Sequence, residues 1–437
     1  MMKTIYTFLL ILFLEILSNS YTTAQTGKWT QLFPQNSPEP RGQLMMAQLY
    51  DGKVLMFGGK TLNENGDNEI VNETWIFDLQ KNNWTQIFCD SLLPPRSLAA
   101  MSYIDTGKII LFGGEFIYGE NFINYTWMFD AEKMNWEKLF PAKSPYYRDR
   151  AISAYLGNKK ILLFGGEGCP YDWSKYEDGY CHDTWIFDLN KMEWDSVMND
   201  FPRGREAFQM CELKENEVLL YGGWMSSFFS KDRYQTYIFD ETRRNWYLLN
   251  PKIENLKRNS STMVQLQDDI TMVFGGDTRS MDTSAASGTQ WDNDTWIFNF
   301  KDTTWTQLNL EIKPPARYYH QASKISKGKA IIFGGAFHNQ VFGDTWLFEY
   351  DPTSVKEDGR NNLIDFTQKG NDIEIHLIDN GNYISKIKLY DYMGNLLEEF
   401  NSNNQQNVII NIANHPSGAY ILQVSTSKYN WNKLFIK

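Results

Sequence analysis

The sequence predicts an all-β chain: a six-bladed ring of four-stranded sheets closed by its N-terminal strand, then a small C-terminal β-sandwich. Three observations predict it. Six apolar runs each end in a diglycine, and they recur at near-even intervals along the chain. Within each interval, runs of about six aromatic or β-branched residues are split by turn residues such as Asp51-Gly52 and Thr106-Gly107, a length and content that suit strands rather than helices. From residue 363 onward, apolar and polar residues alternate with a period of two.

The repeat can be followed in order. The diglycines begin at Gly58, Gly113, Gly165, Gly222, Gly275 and Gly334. Each is followed by Thr-Trp or a near copy, at Thr74-Trp75, Thr126-Trp127, Thr184-Trp185, Thr236-Tyr237, Thr295-Trp296 and Thr345-Trp346. A second tryptophan stands nine residues later in five units, at Trp84, Trp136, Trp194, Trp246 and Trp305. An arginine precedes each diglycine by one fixed step: Arg41, Arg96, Arg148, Arg205, Arg258 and Arg317. Four strands per unit and six units describe a β-propeller. The sixth unit has Val355 where its second tryptophan should be. Trp29, in "KWTQL", precedes Arg41 by the same step that separates Trp84 from Arg96. The N-terminal strand should therefore supply the outer strand of the last blade and remove the open edges of a linear array.

Diglycine, the following aromatic and the second tryptophan resemble the kelch repeat, and more broadly the galactose-oxidase-like propellers. The resemblance covers about three quarters of the chain and implies the fold, whereas propellers host many unrelated activities. The diglycines permit backbone conformations that a side chain would block, and the aromatics should wedge between blades. For the six arginines two roles stay open: salt bridges and carbonyl bonds between blades, or the lining of a ligand pocket, as in some kelch proteins.

Spacing separates the two faces. The arginine-to-glycine and Trp-to-Trp intervals are constant and hold the turns between strands 1 and 2 and strands 3 and 4. The segment from diglycine to Thr-Trp varies in length, shortest between Gly335 and Thr345 and longest between Gly276 and Thr295, and it projects from the opposite face. Variable loops on a rigid scaffold are where binding usually resides. These six loops carry 17 acidic and five basic residues, enough to account for the net charge of −11 of the whole chain. Three of the four tryptophans outside the repeat, Trp173, Trp224 and Trp291, fall in them, joined by Tyr171 and Tyr176. Aromatic rings with acidic neighbours suit sugar stacking with hydroxyl hydrogen bonding, or a peptide interface. The expected function is a binding module that recognises a glycan or a protein through this face.

The surplus of negative charge argues against nucleic acid and anionic membranes as partners. With 15 Trp, 24 Tyr and 28 Phe the chain cannot be a disordered one. No metal or cofactor is expected. The five histidines, His182, His320, His338, His376 and His415, form no zinc-protease motif, and neither a Gly-rich phosphate loop nor a Gly-x-Ser-x-Gly elbow is present. The alternative is a carbohydrate-active enzyme like a sialic-acid mutarotase, which needs only acid and base groups near the channel, or like galactose oxidase, for which His320, His338 and Cys211 would have to converge.

Residues 1–24 read as a secretory signal: Lys3, the apolar run 5–14, then Thr22 and Ala24 before the cleavage point. The mature propeller should span 25–353 and contain no transmembrane segment, with a polar linker at 354–362. In an exported protein Cys169 and Cys181, within one loop, are expected to form a disulfide, leaving Cys89 and Cys211 free. Residues 363–437 resemble the C-terminal sorting domain of type IX secretion (type A), on "KLYDYMGNLL", "ANHPSGAYILQV" and the closing Lys433 and Lys437. That resemblance implies the type IX machinery as a partner, and delivery across the outer membrane to the cell surface or the medium.

Overall fold

The computed structural model describes residues 27–437, apart from 92, 116–123, 170–178, 199–200, 226–233, 250, 252–257, 279–290, 339, 351–363, 379–382, 392–395, 403, 417–418 and 427–429. The leader, the linker, Tyr171, Trp173 and Tyr176 lie outside the described residues. The rest falls into two compact units, one within Gln25–Asp351 and one within Pro352–Lys437.

Among the described residues, the first unit holds six four-stranded antiparallel sheets and two short two-stranded ones. Blade 1 runs Met45–Tyr50, Lys53–Phe57, Thr74–Asp78 and Asn83–Ile87; blades 2 to 5 lie within 100–139, 152–197, 209–249 and 262–308. Blade 6 takes Gln321–Ser326, Lys329–Phe333 and Thr345–Tyr350 from the end of the unit and Gly27–Leu32 from its start, with Trp29 opposite Phe348. Innermost strands neighbour one another in blade order, and that of blade 6 lies beside that of blade 1.

The repeated residues are the bolts between blades. Each outer-strand tryptophan packs on the aromatic that precedes the diglycine of the blade before it: Trp84 on Phe333, Trp136 on Phe57, Trp194 on Phe112, Trp246 on Phe164, Trp305 on Tyr221 and Trp29 on Phe274, with ring centroids 5.0–5.4 Å apart. The indole N–H then donates to the threonine of that earlier blade's Thr-Trp pair, as from Trp84 to Thr345 (3.0 Å), Trp136 to Thr74 (3.0 Å) and Trp29 to Thr295 (2.9 Å). A buried indole needs such a partner, which explains why a threonine recurs at this position in every unit.

The diglycine serves a second contact. Gly334 has φ +72°, and a Cβ there would meet the Arg41 carbonyl oxygen at 2.3 Å. The following glycine, Gly335, donates its N–H to that same oxygen at 2.9 Å, tying blade 6 to blade 1. Gly59, Gly114, Gly166 and Gly276 make the same bond to the arginine of the next blade.

In the second unit, a three-stranded sheet (Ile364–Lys369, Asp372–Leu377, Asn407–Asn411) and a four-stranded one (Leu396–Phe400, Ile384–Asp391, Ala419–Thr426, Asn430–Ile436) share one apolar core. Ile373, Ile375 and Leu377 of the first sheet pack with Ile387, Leu389, Leu422 and Val424 of the second. This is the sandwich that the alternation in the sequence calls for.

Candidate functional site

The six arginines are committed to the scaffold. None is more than 3% exposed, so they present no surface to a ligand. Each donates through Nη1 to the carbonyl of its own blade's first glycine at 2.9–3.3 Å. Arg148 and Arg317 also hold Asp183 and Asp344 in two-pronged ion pairs at 2.7–2.9 Å, Arg41 holds Glu73 at 2.6 Å, and Arg258 holds Asp292 at 3.2 Å. The indoles of Trp75, Trp185 and Trp346 share three of these carboxylates. For these four arginines, a carboxylate offsets the cost of burying a guanidinium. The pocket-lining role left open for the arginines is thus replaced by a structural one. In the same loops, Asn63 accepts from the backbone N–H groups of Asn65 and Asp67 in a turn.

The site lies two residues further along the chain. Gln43, Leu98, Arg150, Ala207, Ser260 and Tyr319 each follow a scaffold arginine by two, and all six have φ between +50° and +56°. The left-handed region costs roughly 1–2 kcal/mol for a residue with a Cβ. What holds them is a belt of backbone bonds from blade to blade: Leu98 N–H to Gln43 O, Arg150 to Leu98, Ser260 to Ala207, Tyr319 to Ser260 and Gln43 to Tyr319, at 2.9–3.4 Å. The belt rims the channel at the end from which the variable loops rise.

Around Arg150 the rim is acidic. Its guanidinium lies 2.5 Å from Glu167, 3.2 Å from Glu206 and 3.5 Å from Asp149. Beside it, Lys60 pairs with Glu115 at 2.8 Å. Among the described residues, four carboxylates thus face two cations. Burial, reinforced by repulsion from Glu167 and Glu115, overrides Arg150 and raises the Asp149 carboxyl to about 6. Glu206 is raised for the same first reason, with Glu167 and Asp149 adding to it. Burial works against the charge of Arg150 too, but the three carboxylates outweigh it and raise its pKa.

An aromatic run adjoins this cluster. Trp291 stacks on Tyr318 with centroids 5.7 Å apart and planes at 20°, Tyr318 meets Tyr319 at 5.0 Å, and the Tyr319 phenol lies in the field of Arg150. Phe337 and His338 pack on the edges of Trp291 at 5.6 and 4.5 Å. Trp224 sits on the other flank, its backbone paired with that of Glu206, and the Tyr180 hydroxyl reaches Glu206 at 3.4 Å. Of the residues expected on this face, Trp224 and Trp291 stand at the rim, while Tyr171, Trp173 and Tyr176 lie outside the described residues. In the loop that contains them, Cys169 and Cys181 are joined in a disulfide. Cys89 and Cys211 are free.

Sequence reasoning missed Asp149, Arg150, Glu206 and Tyr319. The signal was present: positions one and two after each arginine read Gly42-Gln43, Ser97-Leu98, Asp149-Arg150, Glu206-Ala207, Asn259-Ser260 and Tyr318-Tyr319, the least uniform pair in an otherwise regular segment.

The family model of the KLHDC2/KLHL20/DRC7 Kelch-repeats domain matches residues 17–166, 90–276 and 173–357, which together cover most of the chain. The chain belongs to the kelch-repeat family. Its residues 369–437 match the secretion system C-terminal sorting domain, so this kelch protein carries a type IX sorting domain, which supports export to the cell surface or the medium. Kelch domain-containing protein 1 of Homo sapiens is 25% identical over 337 residues, covering 70% of this chain and 80% of that protein. Adagio-like protein 1 of Oryza sativa subsp. japonica is 23% identical, over 76% of this chain and 52% of that protein. Among solved structures, that of YjhT superposes with TM-score 0.53 at 15% identity, over 72% of this chain and 96% of its own. A fungal alcohol oxidase of the AA5 family, solved with copper, reaches TM-score 0.50 at 14% identity, over 94% and 99%. At such identities the likeness is one of fold. Of the residues the galactose-oxidase alternative would bring together, His320 is buried against Phe274, His338 packs on Trp291, and Cys211 faces Thr271.

Proposed function

We propose that this kelch protein is an exported binding module that docks a basic polypeptide segment on the rim around Arg150. The leader at residues 1–24 would carry the chain into the envelope, and the sorting domain would take it across the outer membrane. The observation that carries the choice of ligand is the crowding of Asp149, Glu167 and Glu206 on one guanidinium, with the Trp291–Tyr318–Tyr319 run alongside. Surplus carboxylates next to half-buried aromatic rings suit lysine or arginine side chains, which gain from both charge and cation–π contact. A neutral glycan would use the rings and leave the charge unmatched. The test is the mature chain applied to peptide and glycan arrays. Basic peptides should be retained, and Glu167→Gln with Trp291→Ala should weaken them about tenfold or more; retention of glycans alone, or of peptides insensitive to both changes, would overturn the reading.

One observation favours a second reading, an acid/base enzyme acting on a sugar. Asp149, 3.5 Å from Arg150 and in the field of Glu167 and Glu115, is raised to about 6, a range that suits a general acid. It predicts turnover of sialic acids or galactosides that collapses in Asp149→Asn, and an absence of turnover removes it.

A further inference from the structure

Below the belt, the innermost strands enclose a cavity of about 430 Å³ whose lining reaches Asp51 and Thr106, in the turns between strands 1 and 2. It therefore extends toward the face opposite the variable loops. Its wall has two tiers. Five residues after the scaffold arginines stand Met46, Met101, Met210 and Met263, with Ser153 and Ala322 completing the circle. Seven residues after them stand Gln48, Tyr103, Tyr155, Glu212, Gln265 and Lys324. In every blade the strand pairing shifts register just beyond that second position. Such a shift turns the strand and re-aims its side chains.

The second tier is polar on one side and aromatic on the other. On blades 4 to 6, Lys324 Nζ lies 2.8 Å from Gln265 Oε1 and 3.7 Å from Glu212 Oε1, and Gln265 is fixed from behind by its own donation to the Leu213 carbonyl at 2.8 Å. On blades 2 and 3, Tyr103 and Tyr155 meet edge to face with centroids 5.0 Å apart. In blade order this pair stands across the ring from Gln265 and Lys324. The charges of Lys324 and Glu212 oppose each other within the wall, and the remaining charged lining residue, Asp51, stands in an exposed turn, so the second tier offers donors and acceptors with its own charges paired.

We infer that this cavity is a second binding site, entered from the hairpin face, for a small neutral sugar. A sugar ring has a C–H face that packs on phenol rings and hydroxyls that both donate and accept, and here those two needs are met on opposite walls. An ionic ligand would have to displace Lys324 or Glu212 from its partner and leave the other charge unmatched at partial burial. The volume falls within the range of small-molecule sites, and a few convergent polar groups above an apolar floor are their usual form. The site shares no residue with the Arg150 rim, and its test is independent of the rim's ligand.

The experiment is saturation-transfer NMR on the mature chain with glucose, galactose, mannose and N-acetylglucosamine, and with glucuronate and glucosamine as charged counterparts. At least one neutral sugar should receive transfer, and the charged ones should receive several-fold less. Tyr155→Ala should weaken binding tenfold or more and Gln48→Leu threefold or more, whereas Lys133→Gln, exposed on blade 2 outside both sites, should leave it unchanged. Gln48→Leu keeps the test decisive if Tyr155→Ala does not fold. Transfer to no neutral sugar, equal transfer to the charged ones, or transfer that the folded Tyr155→Ala or Gln48→Leu chain leaves intact overturns the inference.

Discussion

At the loop end of the channel, four carboxylates crowd two cations on a belt of six left-handed residues. At the hairpin end, one lysine cancels one glutamate, and the strands carry only a register shift. The same six strands produce both ends. The loop end varies in length as well as in residue type, because a loop can be extended without disturbing the sheet it leaves. The hairpin end varies in residue type alone, because a tight turn between hydrogen-bonded strands fixes the count. Constant spacing therefore marks a rigid frame and says nothing about whether the side chains on that frame are alike.

The largest effect expected is one that would break both ends at once. Trp29 is 1% exposed, packs between Phe274 and Phe348, and donates to Thr295 of blade 5. Trp29→Ala should cost about 3–5 kcal/mol, the range for truncating a buried aromatic. Denaturant unfolding of the variant should show the loss in a single transition that moves probes at the two ends together. A change near zero, or two separated transitions, would show that the closing strand does not hold the ring.

A smaller effect should be confined to the loop end. Arg150→Gln leaves Asp149, Glu167 and Glu206 close together with their shared cation gone, and should cost about 2–3 kcal/mol at pH 7. Because burial and repulsion already raise Asp149 to about 6, acid should neutralise it first and return part of that stability by pH 5, with Glu206, also raised, following as the pH falls further. Equal losses at both pH values would mean that Arg150 acts through packing rather than charge.

The sequence was most legible where a residue recurs for a reason internal to the fold. The diglycines, the two aromatics and the arginines each meet the same neighbour in blade after blade, so repetition exposed them, and the odd positions of Trp29 and Val355 pointed to the strand Gly27–Leu32 as the partner of the last blade. It was least legible where a residue is used once. Arg150 looks like any polar residue after a repeated arginine until the belt aims it at Glu167 and Glu206, which come from different blades. Lys324 and Glu212 lie two blades apart in the chain, and only the curvature of the inner strands around the channel sets them side by side. The scaffold arginines misled for the converse reason: a charged residue repeated at a channel suggests a ligand, yet each is spent on a glycine carbonyl of its own blade.

The finest test of the contrast uses the charges one at a time. Asp149 has a folded pKa of about 6 against an unfolded value near 3.8. A raised carboxyl favours the folded state while it is protonated, so its contribution is present below pH 3.8 and is lost as the pH climbs through 6. Asp149→Asn removes the charged form and should raise stability by about 1–2 kcal/mol at pH 7, with the gain fading to nothing by pH 4. Glu212 at the hairpin end is also raised by burial, but there Lys324 opposes the shift. Glu212→Gln removes a burial cost and strands a lysine, so its net effect should stay within about 1 kcal/mol. Thermal melts of both variants between pH 4 and pH 8 compare the ends directly. If Asp149→Asn proved as flat with pH as Glu212→Gln is small, the surplus of charge at the loop end would be fully compensated, and the argument for a basic ligand there would lose its footing.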